Sequence, residues 1–249
     1  MSRATRAMQL VTVIGAFLFL TAAPGQAQLA IDTFLDPFPP NPDLPASGRE
    51  MIFVGSYCDG NVCPPGAIVT HATDDACSQT GLPGVLGGER AAHIVQFGTG
   101  NGDSGPGYGY LCLNHSSFGS TKLFIDYGVT TDMNTDLTLG LATAIRVDAT
   151  GDMYAGPRPV PLRITVTSGR GTAGETSATV SQNLVLDGTY TYPFASFTGV
   201  DFTDVDAVSL ELDASAVQAV DLCIYNFQTN GTPVGVESIS FGHLKTLYR

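Results

Sequence analysis

The chain contains no tryptophan and only two lysines, Lys122 and Lys245. Charged residues make up 14% of it, and the formal net charge is −12. So few cations exclude a nucleic-acid or anionic-lipid partner, because phosphate binding runs on Lys and Arg. Helix-forming stretches are also lacking. No window of about 12 residues carries a helical apolar period, and 29 Gly with 15 Pro work against long helices. The longest apolar run, Leu10 to Ala22, falls short of the about 20 residues a membrane-spanning helix requires.

That run has a different meaning. Arg3 and Arg6 precede it, and Gly25-Gln26-Ala27 supplies small residues after it. This is the pattern of a secretory signal peptide, residues 1–27, cleaved after Ala27. The expected mature chain, from residue 28 on, is more acidic still, has no membrane span, and is secreted or otherwise extracytoplasmic. Much of its acidity is Asp, a turn residue. Five cysteines remain, Cys58, Cys63, Cys77, Cys112 and Cys223. In an oxidising compartment they are disulfide candidates with one thiol left over. Cys58 and Cys63 bracket a short turn, and Cys112 and Cys223 lie in expected strands. Any one of the five can be the odd thiol, and the other four pair in three ways.

What the chain has in quantity is short apolar-alternating runs bounded by Gly, Asn, Asp or Pro. Strands are expected at 28–34, 51–57, 92–98, 108–114, 121–127, 137–149, 160–168, 177–186, 206–213 and 219–229. Leu162, Ile164 and Val166 alternate with Arg163, Thr165 and Thr167; Val220, Leu222 and Ile224 alternate with Asp221, Cys223 and Tyr225. A one-residue slip would move each apolar set into water, so the core face is well specified. There is no internal repeat, and Pro37 to Pro45 form a stiff connector. The expected architecture is all-β: a two-sheet, jelly-roll-like β-sandwich over 28–229 with a tail at 230–249.

Leu86-Gly87-Gly88-Glu89-Arg90, the run 137–149, Phe194-x-x-Phe197 followed by Val200 to Asp206, and Val220 to Phe227 form a series. Together they resemble the body of exported bacterial proteins of the PEP-CTERM type, whose core is similar to a carbohydrate-module-style jelly roll. The sorting tail of that group is absent. The chain finishes instead on Ser240-Phe241-Gly242-His243-Leu244-Lys245-Thr246-Leu247-Tyr248-Arg249, which reads either as a recognition tag or as a docked final turn. The resemblance implies a structural calcium tying the first strand to the last, with Asp32, Glu89 and Asp221 as its ligands. It implies nothing about turnover.

Several motifs fail their own context. Ala91-Ala92-His93 and Gly102-Asp103-Ser104-Gly105-Pro106 look like fragments of a serine protease. His93 and Ser104 are 11 positions apart, which leaves no room for the intervening acid or the fold. Gly100-Asn101-Gly102-Asp103-Ser104-Gly105 is a literal G-x-G-x-x-G, but Pro106 and two further glycines follow where a helix must begin. This segment reads better as a surface loop, or as hard oxygens for calcium from Asn101, Asp103 and Ser104. Glu211-x-Asp213 matches two positions of a three-carboxylate glycosidase line, with Ser215 in place of the third. Cys58, Cys63, His71 and Cys77 match no zinc spacing.

For a sugar-binding module the hardware is an aromatic platform beside polar groups. Without Trp the candidates are Tyr108, Tyr110 and Tyr154. The expectation is therefore an exported, non-enzymatic β-sandwich that binds or builds surface structure, with an extracellular glycan or envelope component as partner. The alternatives are a glycan-active hydrolase on the same fold and a purely structural spacer.

Overall fold

The computed structural model describes residues 28–40, 52–54, 56–57, 69–70, 73–97, 102–107, 109–115, 118–153, 159–185 and 187–231. The expected signal peptide 1–27, Cys58, Cys63, Tyr108, Tyr154 and tail residues 232–249 lie outside them. In chain order the strands are β1 (Ala30–Asp32), β2 (Ile52–Val54), β3 (Ser56–Tyr57), β4 (Val69–Thr70), β5 (Asp74–Thr80), β6 (Glu89–Gln96), β7 (Gly102–Gly107) and β8 (Tyr110–His115). They continue with β9 (Thr121–Tyr127), β10 (Ala144–Met153), β11 (Val160–Ser168), β12 (Thr176–Leu184), β13 (Gly188–Pro193), β14 (Val205–Asp213) and β15 (Val220–Thr229).

The fold is an all-β, two-sheet antiparallel sandwich. One sheet runs β13-β10-β15-β8-β7-β2, with β1 added to β15; the other runs β12-β11-β14-β9-β6-β5. A separate β3–β4 pair completes the set. β1 and β8 share one side of β15 in succession, at Phe227–Gln228 and at Asp221–Ile224.

The alternation read from the sequence is what builds the layers. β11 buries every second residue from Val160 to Ser168, so Leu162, Ile164 and Val166 face inward beside Leu210, Leu212 and Ile125. From the opposite sheet come Leu111, Leu113, Val147, Leu222 and Ile224. Each such side chain, fully buried, contributes about 1.5–3 kcal/mol relative to exposure. Between the layers Tyr192 donates its hydroxyl to the Leu162 carbonyl at 3.1 Å, which satisfies a polar atom that burial would otherwise leave unpaired.

The strands β4 and β13 were not expected, and three other segments differ from expectation for reasons that can be named. The run 137–149 is not one strand: residues 139–141 form a short 3-10 turn and β10 begins at Ala144. The Asp136 carboxylate accepts from the Thr138 backbone N–H and hydroxyl at 2.8 and 2.6 Å, turning the chain before the strand can start. Gly102–Gly107, expected as a loop, is the strand β7 between β8 and β2. A Cβ on Gly102 would come within 2.5 Å of the Thr121 methyl, so only glycine lets that strand close on its neighbour. β2 pairs only with 102–104, so Pro106, which has no N–H to offer, lies past the end of that partner. Asp74–Thr80, overlooked for lack of large apolar residues, is the edge strand β5.

The motif Phe194-x-x-Phe197 with Val200 to Asp206 closes one end of the sandwich. Phe194 stacks on Phe202 with ring centres 4.0 Å apart, and Phe197 meets Phe202 edge-on at 5.5 Å. The Leu137 N–H bonds to the Phe202 carbonyl and the Thr135 N–H to Val205, tying the 129–143 connection across that end.

Candidate binding faces

β8 and β15 lie side by side in the middle of the seven-stranded sheet, with Cys112 opposite Cys223. Their inward residues are Leu111 and Leu113, and Leu222 and Ile224; the period of two turns Tyr110, Cys112 and Asn114, and Asp221, Cys223 and Tyr225, to the outside. Cys112 and Cys223 form a disulfide. Tyr110 lies two residues from Cys112, and Tyr225 two residues from Cys223. The two rings meet edge-on with centres 5.5 Å apart, and Tyr110 is 44% exposed. The bridge therefore joins the same two strands that carry the tyrosines, one step away on the same face.

A polar group borders the pair. Asp148, opposite Tyr225 on β10, accepts hydrogen bonds from Arg146 at 2.8 Å, Thr189 at 2.5 Å and Asn226 at 2.7 Å. Burial alone would raise its pKa; these three donors outweigh that and hold it below the usual carboxylate range. The Asn226 contact depends on a break in strand register between Arg146 and Asp148, with Asn226 at φ 52°. Asn tolerates that left-handed conformation, and the bulge re-aims its amide onto Asp148. The Arg146 side chain stays 38% exposed beside the tyrosines. Further along the face Asn114 donates to Asp103 at 2.9 Å, next to Asp221.

The outer face of the six-stranded sheet carries a second group. His93, Phe124, Glu211, Arg163 and Ser181 form one row across five strands. The His93 and Phe124 rings stack at 6.0 Å. Arg163 reaches Glu211 at 2.5 Å and Asp213 at 3.0 Å, and Lys122 reaches Asp213 at 2.9 Å and Glu211 at 3.5 Å. Burial pushes the Asp213 carboxyl up, but hydrogen bonds from Ser215, Lys122 and Arg163 prevail and bring it down to about 2. Asp213 is thus held as a carboxylate between two cations. Ser215, where the glycosidase line has its third carboxylate, donates to Asp213 at 2.5 Å.

The three expected calcium ligands are not brought together. Asp32 is buried between the sheets, where it accepts from Arg90 at 2.9 Å, from the Tyr127 hydroxyl at 3.0 Å and from the Phe34 N–H at 2.7 Å. Glu89 precedes Arg90 on β6 and therefore points to the other side of the sheet. There it accepts from the Thr130 hydroxyl and from the N–H groups of Thr130 and Thr131. Asp221 is exposed on the outer face of β15, the strand that β1 joins, but near its start, whereas Asp32 pairs with Phe227 near its end. Among the described residues, no group of three or more His, Cys, Asp or Glu could hold a metal ion. His93 sits on the outside of one sheet, whereas Ser104 is fully buried in the other. Cys77 is a free thiol.

Tyr110, a candidate from the sequence, is exposed on β8; Tyr225, Phe124 and Arg146, which share these outer faces, were not among the candidates. Tyr225 had a signal, since the alternation from Val220 puts it on the face of Cys223. Its meeting with Tyr110 had none, because the two strands are far apart in the chain.

The class defined by this architecture is a β-sandwich with two polar, aromatic-bearing outer faces. No family model matches the chain, and no curated protein does. Among solved structures it is similar to a family 11 carbohydrate-binding module from Clostridium thermocellum in complex with a β-1,3-1,4-mixed-linked tetrasaccharide, at 13% identity and a TM-score of 0.34, covering 73% of this chain and 97% of that one. It is also similar to a CBM4 structure (15% identity, TM-score 0.32, 66% of this chain, 89% of that one) and to a family 30 carbohydrate-binding module (10%, 0.29, 84% and 85%). These are likenesses of fold.

Proposed function

We propose that the protein is an exported, non-catalytic glycan-binding module whose binding face is the outer surface of β8 and β15 around Tyr110 and Tyr225. One observation carries this: two tyrosines side by side on an exposed sheet face, beside a row of hydrogen-bonding groups that includes the partly exposed Arg146. Aromatic faces with nearby donors and acceptors suit a ligand that is apolar on its ring faces and hydroxylated at its edges. The Cys112–Cys223 disulfide supports an extracytoplasmic location, in keeping with a cleaved leader at 1–27. In this reading the chain is one of the exported bacterial proteins resembling the PEP-CTERM type.

Affinity electrophoresis of the oxidised chain through gels containing mixed-linked β-glucan, xylan, galactomannan or agarose tests the proposal. At least one polymer should retard the protein. Tyr110→Ala and Tyr225→Ala should each weaken that retardation about tenfold, or about 1.4 kcal/mol. No retardation by any glycan would sink the binding role and leave a structural or protein-partner domain.

A further inference from the structure

The outer face of the six-stranded sheet has features that the core does not require. His93, Phe124, Glu211, Arg163 and Ser181 point away from the buried layer and line up across β6, β9, β14, β11 and β12. With about 4.8 Å between neighbouring strands, the row is about 19 Å long. An aromatic pair stands at one end, with reciprocal charge pairs at its centre. Alongside runs a hydroxyl row in which Thr165 and Thr179 bond at 2.7 Å. The charges say what would fit. Lys122 and Arg163 are each matched to both Glu211 and Asp213, so this tetrad has no net charge. An anionic polymer would meet the two carboxylates, and a cationic one the two cations. A neutral polyhydroxylated chain can donate to the carboxylates, accept from the cations and lie against the Phe124 ring.

We infer that this face is a second binding site, for a neutral polysaccharide, so that the module holds one glycan strand on each side of the sandwich and bridges them. The inference rests on the glycan reading of the tyrosine face. It adds a ligand class, a location and a consequence: cross-linking in place of simple attachment. The two sites are separated by the hydrophobic core and share no side chain, so each can be removed while the other reports that the protein is folded.

The experiment is titration calorimetry with an oligosaccharide of whichever neutral polymer retards the chain, on the wild type, on Tyr110→Ala/Tyr225→Ala, and on Phe124→Thr/Arg163→Gln. It is paired with turbidity of the full-length polymer. Two sites per chain are expected in the wild type, one in each double variant, and turbidity in the wild type alone. One site per chain, lost through the tyrosines and untouched by Phe124→Thr/Arg163→Gln, overturns the second site and leaves the tyrosine reading standing. One site lost only through Phe124→Thr/Arg163→Gln overturns the bridging role and the tyrosine assignment together. No heat with any oligosaccharide removes the glycan reading, and this inference with it.

Discussion

The Asp32 carboxylate and the Arg90 guanidinium meet at 2.9 Å with essentially no solvent on either side chain. Asp32 ends the first strand of one sheet and Arg90 lies on β6 of the other, so the pair is a polar staple between layers. Much of its remaining capacity is used: Tyr127 and the Phe34 N–H bond to Asp32, while Arg90 reaches Gln79 and the Asp36 carbonyl and lies over the Phe38 ring, its buried Nε alone having no partner among the described residues. Burial pushes the Asp32 pKa up against the pull of Arg90 and these donors. Removing one partner strands the other's charge. Asp32→Ala is expected to lower the unfolding free energy by about 3–5 kcal/mol, and Asp32→Leu/Arg90→Met to recover much of that loss. Urea titrations of the three proteins check both. Because both Asp32 oxygens already have protein donors, millimolar calcium should leave the wild-type melting temperature unchanged. A calcium-dependent rise abolished by Asp32→Ala would contradict the assignment.

His115 makes a second, pH-dependent prediction. Its imidazole is buried, with Nε2 2.5 Å from the Thr121 hydroxyl. Burial drives its pKa from 6.5 down to about 4, against a smaller upward pull from the Val217 backbone. The unfolded chain therefore takes up the proton first as pH falls. The folded state has its full stability above pH 6.5 and loses it progressively between 6.5 and 4, by up to about 3 kcal/mol. His115→Gln should flatten the stability-versus-pH curve in that window, as read by urea titrations from pH 7 to 4.5. An unchanged slope would show that His115 titrates normally.

How far the sequence reached depended on whether a segment carried its own signal. β9 and β11 begin and end at 121–127 and 160–168, as their alternation requires, because each is an inner strand with one apolar face. β7 has no alternation to read. Its glycines and Pro106 are strand-compatible only because Thr121, β8 and the short β2 surround them, which is tertiary information. Asp32 and Glu89 were expected as ligands of one ion only through the resemblance to jelly-roll modules. That an arginine would occupy the core beside one of them is invisible without strand pairing. Tyr110 was legible as an aromatic candidate, and the outward facing of Tyr225 could be counted from Val220. The row from His93 to Ser181 was legible nowhere, since it runs across the strands and no two of its members are sequence neighbours.

Cys77 tests the inward face of the edge strand β5. It packs against the core, and burial pushes its thiol up to about 11, with Arg90 opposing and Asp75 adding to the shift. At pH 8 the thiolate is then on the order of one part in a thousand, and the thiolate is the reactive form. Iodoacetamide should leave Cys77 unlabelled in the native oxidised protein and label it in guanidinium, as followed by peptide mapping. Rapid native labelling would mean that β5 opens at the sheet edge.

The Cys112–Cys223 bridge closes a loop with a sequence separation of 111 residues, so in the unfolded chain it removes a large conformational freedom. Cys112→Ser/Cys223→Ser is expected to lower the unfolding free energy by about 2–4 kcal/mol. A loop-closing role alone predicts nothing more: well below the melting temperature the variant should bind as the wild type does. Its place on the tyrosine face predicts a second effect. Tyr110 and Tyr225 each lie two residues from the bridge on the same side of the sheet, so losing it frees the strands that set their spacing. Affinity for the retarding polysaccharide should then fall about threefold to tenfold at a temperature where the variant is fully folded, the loss of preorganisation appearing as weaker binding. Affinity electrophoresis at 10 °C below the onset of the variant's melt, at about the same ionic strength for both proteins, separates the two roles. Equal retardation would confine the disulfide to stability; a selective loss would make it a positioning element of the binding face.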